Sequence, residues 1–202
     1  MNDKYLVSNN EEEQEEAKHS SIAPLISKCL FDSRMVLITG EVSQQTARDI
    51  CSQLFALAAV SSDPILVVVS SPGGHVESGD MIHDTIKFIT PRVRILGSGW
   101  VASAGALIYI AAEKEDRYVL PNTRFLLHQP SGGAGGKATD IAIHAREILK
   151  TKARLNMLFA EATGQPLERI EADTERDHWM SAEEAVEYGL ASHIISTQAE
   201  IL

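Results

Sequence analysis

Apolar runs and polar breaks alternate along the chain from residue 35 onward. Met35-Val36-Leu37-Ile38 is a short run stopped by Thr39-Gly40, the pattern of a buried strand. Ile50, Leu54, Leu57 and Ala58 then recur at helical spacing, and Ser61-Ser62-Asp63-Pro64 closes that helix. Ile65 to Val69 is apolar at every position, so it offers no solvated face and predicts a central, parallel strand, broken sharply at Ser71-Pro72-Gly73-Gly74. The alternation repeats: a helix near Ser78 to Phe88, a strand at Val93 to Leu96, a helix from Ala104 to Ala112, and a strand at Arg124 to His128. A long helix from about Thr139 to Ala162 carries Ile141, Ala145, Ile148, Leu155 and Phe159 along one apolar side, with Gly164 as its left-handed terminator. Strands alternating with helices predict an α/β layer fold with parallel strands and right-handed crossovers. Ligands in such sheets sit at the carboxyl ends of the strands, where Gly74, Ser103 and His128 fall.

Composition narrows the picture. The chain has 202 residues, enough for one domain with a full core. Lys and Arg total 18 against 28 Asp and Glu, a net charge of −10 that argues against nucleic acid or an anionic membrane as partner. Glu11-Glu12-Glu13-Gln14-Glu15-Glu16 loads like charge onto a stretch poor in apolar residues. Residues 1–21 therefore read as a flexible acidic arm, leaving 22–202 as a single domain. Two cysteines, Cys29 and Cys51, make neither a metal site nor a disulfide framework and suit a reducing compartment. No apolar run reaches the length of a membrane span and the N-terminus lacks the pattern of a signal peptide, so the expected location is the cytoplasm.

Three residues carry candidate chemistry. Ser103 lies among small residues, Gly99-Trp100-Val101-Ala102-Ser103-Ala104-Gly105, at the join of a strand and a helix. There, unpaired N–H groups favour the negative charge that develops when a hydroxyl attacks a carbonyl. His128 ends an apolar run just before Gln129-Pro130, a suitable place for a general base facing a site. Asp177, placed before a helix, can supply the carboxylate that orients the imidazole. Singly, each has a plainer reading as a packing serine, a strand-end histidine or a helix cap. Small neighbours at Ser103 favour the joint reading, because substrate backbone must approach closely. The chain order Ser, His, Asp differs from that of α/β-hydrolases, chymotrypsin and subtilisin, so a triad here belongs to another fold. Gly74 and Ala104 offer the backbone N–H groups of an oxyanion hole. Gly132-Gly133-Ala134-Gly135-Gly136-Lys137 fails as a phosphate loop, because Ser131 and Ala138 stand where glycine and a hydroxyl residue are needed.

These residues resemble the proteolytic subunit of the Clp protease (ClpP). The likeness runs from about Met35 to His193. It rests on Ser71-Pro72-Gly73-Gly74, Ala102-Ser103-Ala104-Gly105, Leu120-Pro121-Asn122, His128-Gln129-Pro130, the runs 138–141 and 144–149, Asp173 to Asp177, and Ser181 to Leu190. The resemblance implies a crotonase/ClpP-like α/β fold of repeated ββα units with a protruding handle helix, formed from Thr139 and the glycine segment before it. It implies a serine endopeptidase with nucleophile Ser103, base His128 and Asp177, acting on unfolded polypeptides in protein quality control. It also implies two stacked heptameric rings, a tetradecamer, gated by an AAA+ unfoldase that alone uses ATP. No cofactor or metal is expected in this chain. Arg176 would pair across the ring interface.

Departures from the family pattern add expectations of their own. Leu66 and Val68 stand where the family usually has tyrosines that grip the unfoldase, and the glutamate run replaces the usual axial segment. Docking is therefore expected to be altered, as in a specialised ring subunit that needs a paralogue. Trp100 and Ala104 stand where glutamine and methionine are common. Two rivals remain: a crotonase-like acyl-CoA enzyme with a shared fold and oxyanion hole, and a non-catalytic ring subunit that only gates a partner.

Overall fold

The computed structural model describes residues 22–133 and 135–201. The chain divides into two compact units, Met1–Met35 and Val36–Leu202. In the first, residues 22–32 form helix α1; the expected acidic arm, 1–21, lies outside the described residues. The remaining elements are β1 (Met35–Thr39), α2 (Gln44–Val60), β2 (Ile65–Ser71), α3 (Val76–Phe88), β3 (Val93–Ala102), α4 (Ala104–Tyr109), β4 (Arg117–Val119), β5 (Arg124–Leu127), α5 (Ala138–Thr163), α6 (Leu167–Asp173), β6 (His178–Met180), α7 (Ala182–Tyr188) and β7 (His193–Ile194). The α/β layer architecture is the one expected.

Strand order is β1-β2-β3-β4-β7, with β5 added beside β3 and β6 beside β5. The pairs β2/β3, β3/β4, β3/β5 and β4/β7 are parallel, and β5/β6 is antiparallel. Ile65, Val67 and Val69 are fully buried. Leu66 and Val68, on the opposite face of β2, are only half-buried, so the unbroken apolar run covers one sealed face and one partly open one.

β3 is longer than the apolar run Val93 to Leu96 suggests. Its first half pairs with β4 (Ile95↔Arg117) and its last three residues pair with β5 (Trp100↔Arg124, Ala102↔Leu126). The register against β2 slips between Val69 and Ser71, and Gly99 lies at φ +68°. The glycines thus form a bulge that redirects the strand rather than ending it. This bend carries β3 onward to Ser103.

α4 stops at Tyr109 and does not reach Ala112. Beyond it, the carbonyls of Ile110 and Ala112 accept from the Arg117 guanidinium, which also reaches Ala162 O at 2.7 Å. A side chain that is 4 % exposed thereby satisfies carbonyls the helix leaves orphaned. Tyr109 packs edge-on against Phe125, with centroids 5.1 Å apart, and donates to Tyr118 O. Burial pushes its phenol well above the usual tyrosine range, so it stays a donor.

α5 is 26 residues long, about 39 Å at 1.5 Å per residue. Of its expected apolar side only Leu155 and Phe159 are buried; Ile141 is 43 % exposed and Ile148 half-buried. The helix therefore packs by its C-terminal portion and projects by the rest. Gly164, at φ +77°, ends it as expected.

Candidate active site

β3 delivers Ser103 at its carboxyl end. The residue adopts φ 55°, ψ −120°, a strained setting for a non-glycine residue, between the last strand residue and the first turn of α4. Its amide donates to Leu126 O on β5 at 2.9 Å, which locks the turn to the neighbouring strand. The Ser71-Pro72-Gly73-Gly74 turn closes over it. A Cβ on Gly73 would lie 2.6 Å from Ser103 Cβ and 3.1 Å from Ala104 N, and one on Gly74 would strike Val42 O at 2.5 Å. Both positions require glycine. Val42 N donates to Gly73 O and His75 N to Val42 O, so the turn is held on its far side. Among the described residues the amides of Gly74 and Ala104 have no acceptor, which leaves them available to a ligand.

β5 delivers His128, one residue past its end, and β6 begins one residue after Asp177. Asp177 therefore precedes a strand and not the helix expected from its polar surroundings; it lies in the turn that joins α6 to β6. The antiparallel register of Phe125↔Met180 and Leu127↔His178, continued one step, sets His128 opposite Asp177. Residues so placed bring their Cβ atoms within about 4.5–5.5 Å on one face. His128 Nδ1 lies 3.0 Å from Asp177 Oδ1. The imidazole is 30 % exposed and the carboxylate 65 %.

Ser103 and His128 line one cleft together with Val76, Ala104, Leu107, Leu127, Pro130, Leu155 and Phe159. Apart from the hydroxyl and the imidazole its walls are apolar. No hydrogen bond between Ser103 Oγ and His128 occurs among the described residues; such contacts often tighten only when substrate arrives. Ala104 lines this cleft, whereas Trp100, 43 % exposed, does not. Leu155 and Phe159 were legible in sequence only as the buried side of a helix; that they wall the cleft comes from the packing of α5. Gln129 gave no signal in the sequence beyond its place beside His128. Arg176 is exposed and makes no ion pair among the described residues. The arrangement can take a proton from a hydroxyl, hold an oxyanion on two amides and accommodate an apolar group, which are the requirements of acyl transfer.

Among the described residues no group of histidine, cysteine, aspartate and glutamate is arranged to hold a metal ion, and no helix is long and apolar enough to cross a membrane.

The family model described as Clp protease matches residues 17–198. ATP-dependent Clp protease proteolytic subunit 3 of Rhizobium etli is 58 % identical over 193 residues, covering 96 % of this chain and 100 % of that protein. Proteolytic subunit 2 of Pseudomonas aeruginosa is 58 % identical over 183 residues, covering 91 % of each. The solved structure of ClpP1 from Listeria monocytogenes is similar with a TM-score of 0.80 at 48 % identity, covering 88 % of this chain and 99 % of that one. The chain belongs to the Clp protease family. It is a hydrolase of the serine peptidase class, and the acyl-CoA alternative is set aside.

Proposed function

We propose that the chain is a proteolytic subunit that cleaves polypeptides through an acyl-enzyme formed on Ser103. His128 takes the hydroxyl proton as Ser103 attacks the peptide carbonyl, and the Gly74 and Ala104 amides hold the oxyanion. His128 then gives its proton to the leaving amine and activates the water that frees the acyl group. Asp177 keeps the imidazole in the tautomer that presents Nε2 to the serine. No metal or organic cofactor takes part in these steps. The observation that carries the reading is the 3.0 Å contact of His128 Nδ1 with Asp177, formed at the rim of the cleft that Ser103 lines. Fluorophosphonate labelling tests it: wild type should be modified at Ser103 and Ser103→Ala should not. Equal labelling of both would overturn it.

The relatives are named ATP-dependent proteolytic subunits and carry the numbers 2 and 3. In line with this, we infer a cytoplasmic ring assembly of two stacked heptamers, fed by an AAA+ unfoldase and in some particles mixed with a paralogous subunit. Docking of the unfoldase is altered by Leu66 and Val68. The exposed guanidinium of Arg176, next to Asp177, pairs across the ring interface in this reading, so that Arg176→Ala leaves single rings of low activity. Native mass spectrometry of the chain alone and with a co-expressed paralogue distinguishes homomeric from mixed rings.

A further inference from the structure

The carboxylate that meets His128 sits on weak footing. Asp177 is exposed, belongs to the irregular turn 174–177, and β6 beyond it pairs through only three residues. Yet the turn is gripped at two points by the residue that follows His128. Gln129 N donates to Thr174 O at 2.7 Å, and Gln129 Nε2 donates to Glu175 O at 2.9 Å. Further ties run to the helices: Lys152 Nζ on α5 pairs with the Glu175 carboxylate at 2.6 Å, and the buried Thr174 hydroxyl lies 2.8 Å from Ile170 O on α6 and 3.0 Å from Asn156 Oδ1 on α5, sharing its one hydrogen between them. On the other side of Asp177, His178 is held in register with Leu127.

We propose that Gln129 is a positioning residue for the reaction, acting through Asp177; this rests on the triad reading above. His128 and Asp177 form the rung between two others, Leu127↔His178 below and Gln129 with Thr174 and Glu175 above. The backbone rung alone fixes one carbonyl. The side-chain amide fixes the next, and among the described residues Arg176, between it and Asp177, has no such clamp. Loss of the amide donor lets the turn drift while the strand, the cleft and the imidazole stay in place. The cost therefore falls on the chemical step and not on substrate binding.

Gln129→Met keeps the length of the side chain and removes the donor; Gln129→Glu replaces the donor by a group that repels the carbonyl. Each should lower kcat roughly tenfold, within the range expected of small misplacements, and leave KM and ring assembly as in wild type. In an Asp177→Asn background the same substitutions should cost nothing further, because residues that act through one another are non-additive. Full kcat in both Gln129 variants overturns the proposal, as does a tenfold loss that persists in the Asp177→Asn background, which would mark a general structural role. Active Asp177→Asn protein would instead remove the triad reading and this proposal with it. A loss of folded protein in Gln129→Met is separated by melting temperature, with Gln129→Glu as the second probe.

Discussion

Gly73 and Ser103 stand so close that a methyl group on the first would meet the Cβ of the second at 2.6 Å. Gly73 also lies at φ +97°, where a side chain is strained whatever the space. Gly73→Ala should therefore cost about 1–3 kcal/mol, the range for overpacking, and push Ser103 and the Ala104 amide out of place. The expected result is a lowered melting temperature together with loss of fluorophosphonate labelling. Wild-type labelling in a stable variant would show that the turn yields without moving the serine.

Asp177→Asn tests the orienting carboxylate. The amide can hold the same volume but can present a hydrogen to Nδ1, favouring the wrong tautomer. kcat should fall by about 10²–10⁴, the upper figure being that found for the same change in a serine protease of another fold. Because Asp177 is largely exposed, the melting temperature should hardly move. Peptidase kinetics alongside calorimetry check both statements.

Phe159 is 5 % exposed and forms part of the cleft wall. Phe159→Ala should destabilise by about 3–5 kcal/mol, whereas Phe159→Leu should cost under about 1.5 kcal/mol. The Leu variant thus gives a folded protein with a roomier cleft. In a peptide series that varies the residue before the scissile bond, its kcat/KM should shift toward bulkier apolar side chains. An unchanged ranking would mean that Phe159 supports the fold without contacting substrate.

His83 provides a pH prediction away from the site. It is 7 % exposed on α3, and burial holds its pKa below the ordinary 6.5 despite the neighbouring Asp84 carboxylate. The unfolded chain then binds a proton at a pH where the folded chain does not. Stability is accordingly complete above about pH 6.5 and declines as the pH falls below it, toward the lower folded value. His83→Gln cannot titrate and should show a shallower decline over that window in urea unfolding. Parallel curves for the two proteins would refute the assignment.

Much of this was legible in the chain. The alternation of apolar runs with helical periodicity located β1, β2, α2, α3 and α5, since each buries a face wide enough to leave a pattern. The short elements were not legible. β4, β6 and β7 have two or three residues each, too few to show a period, and their pairing is with strands elsewhere in the sequence. Asp177 was misplaced before a helix for this reason. β3 was cut short because its apolar run ends at Leu96, whereas the neighbouring strands carry it on through the glycines as a bulge.

By itself the sequence determined the chemical types at the site: a hydroxyl in a run of small residues, an imidazole at a strand end, a carboxylate closing a polar run, and a glycine pair after a strand. These are local properties, and local residues suffice to state them. Only the tertiary structure decided that His128 faces Asp177, that α5 walls the cleft, and that Gln129 grips the turn. Each of these depends on the register between segments some fifty residues apart, and register is set by which faces the whole core can bury at once.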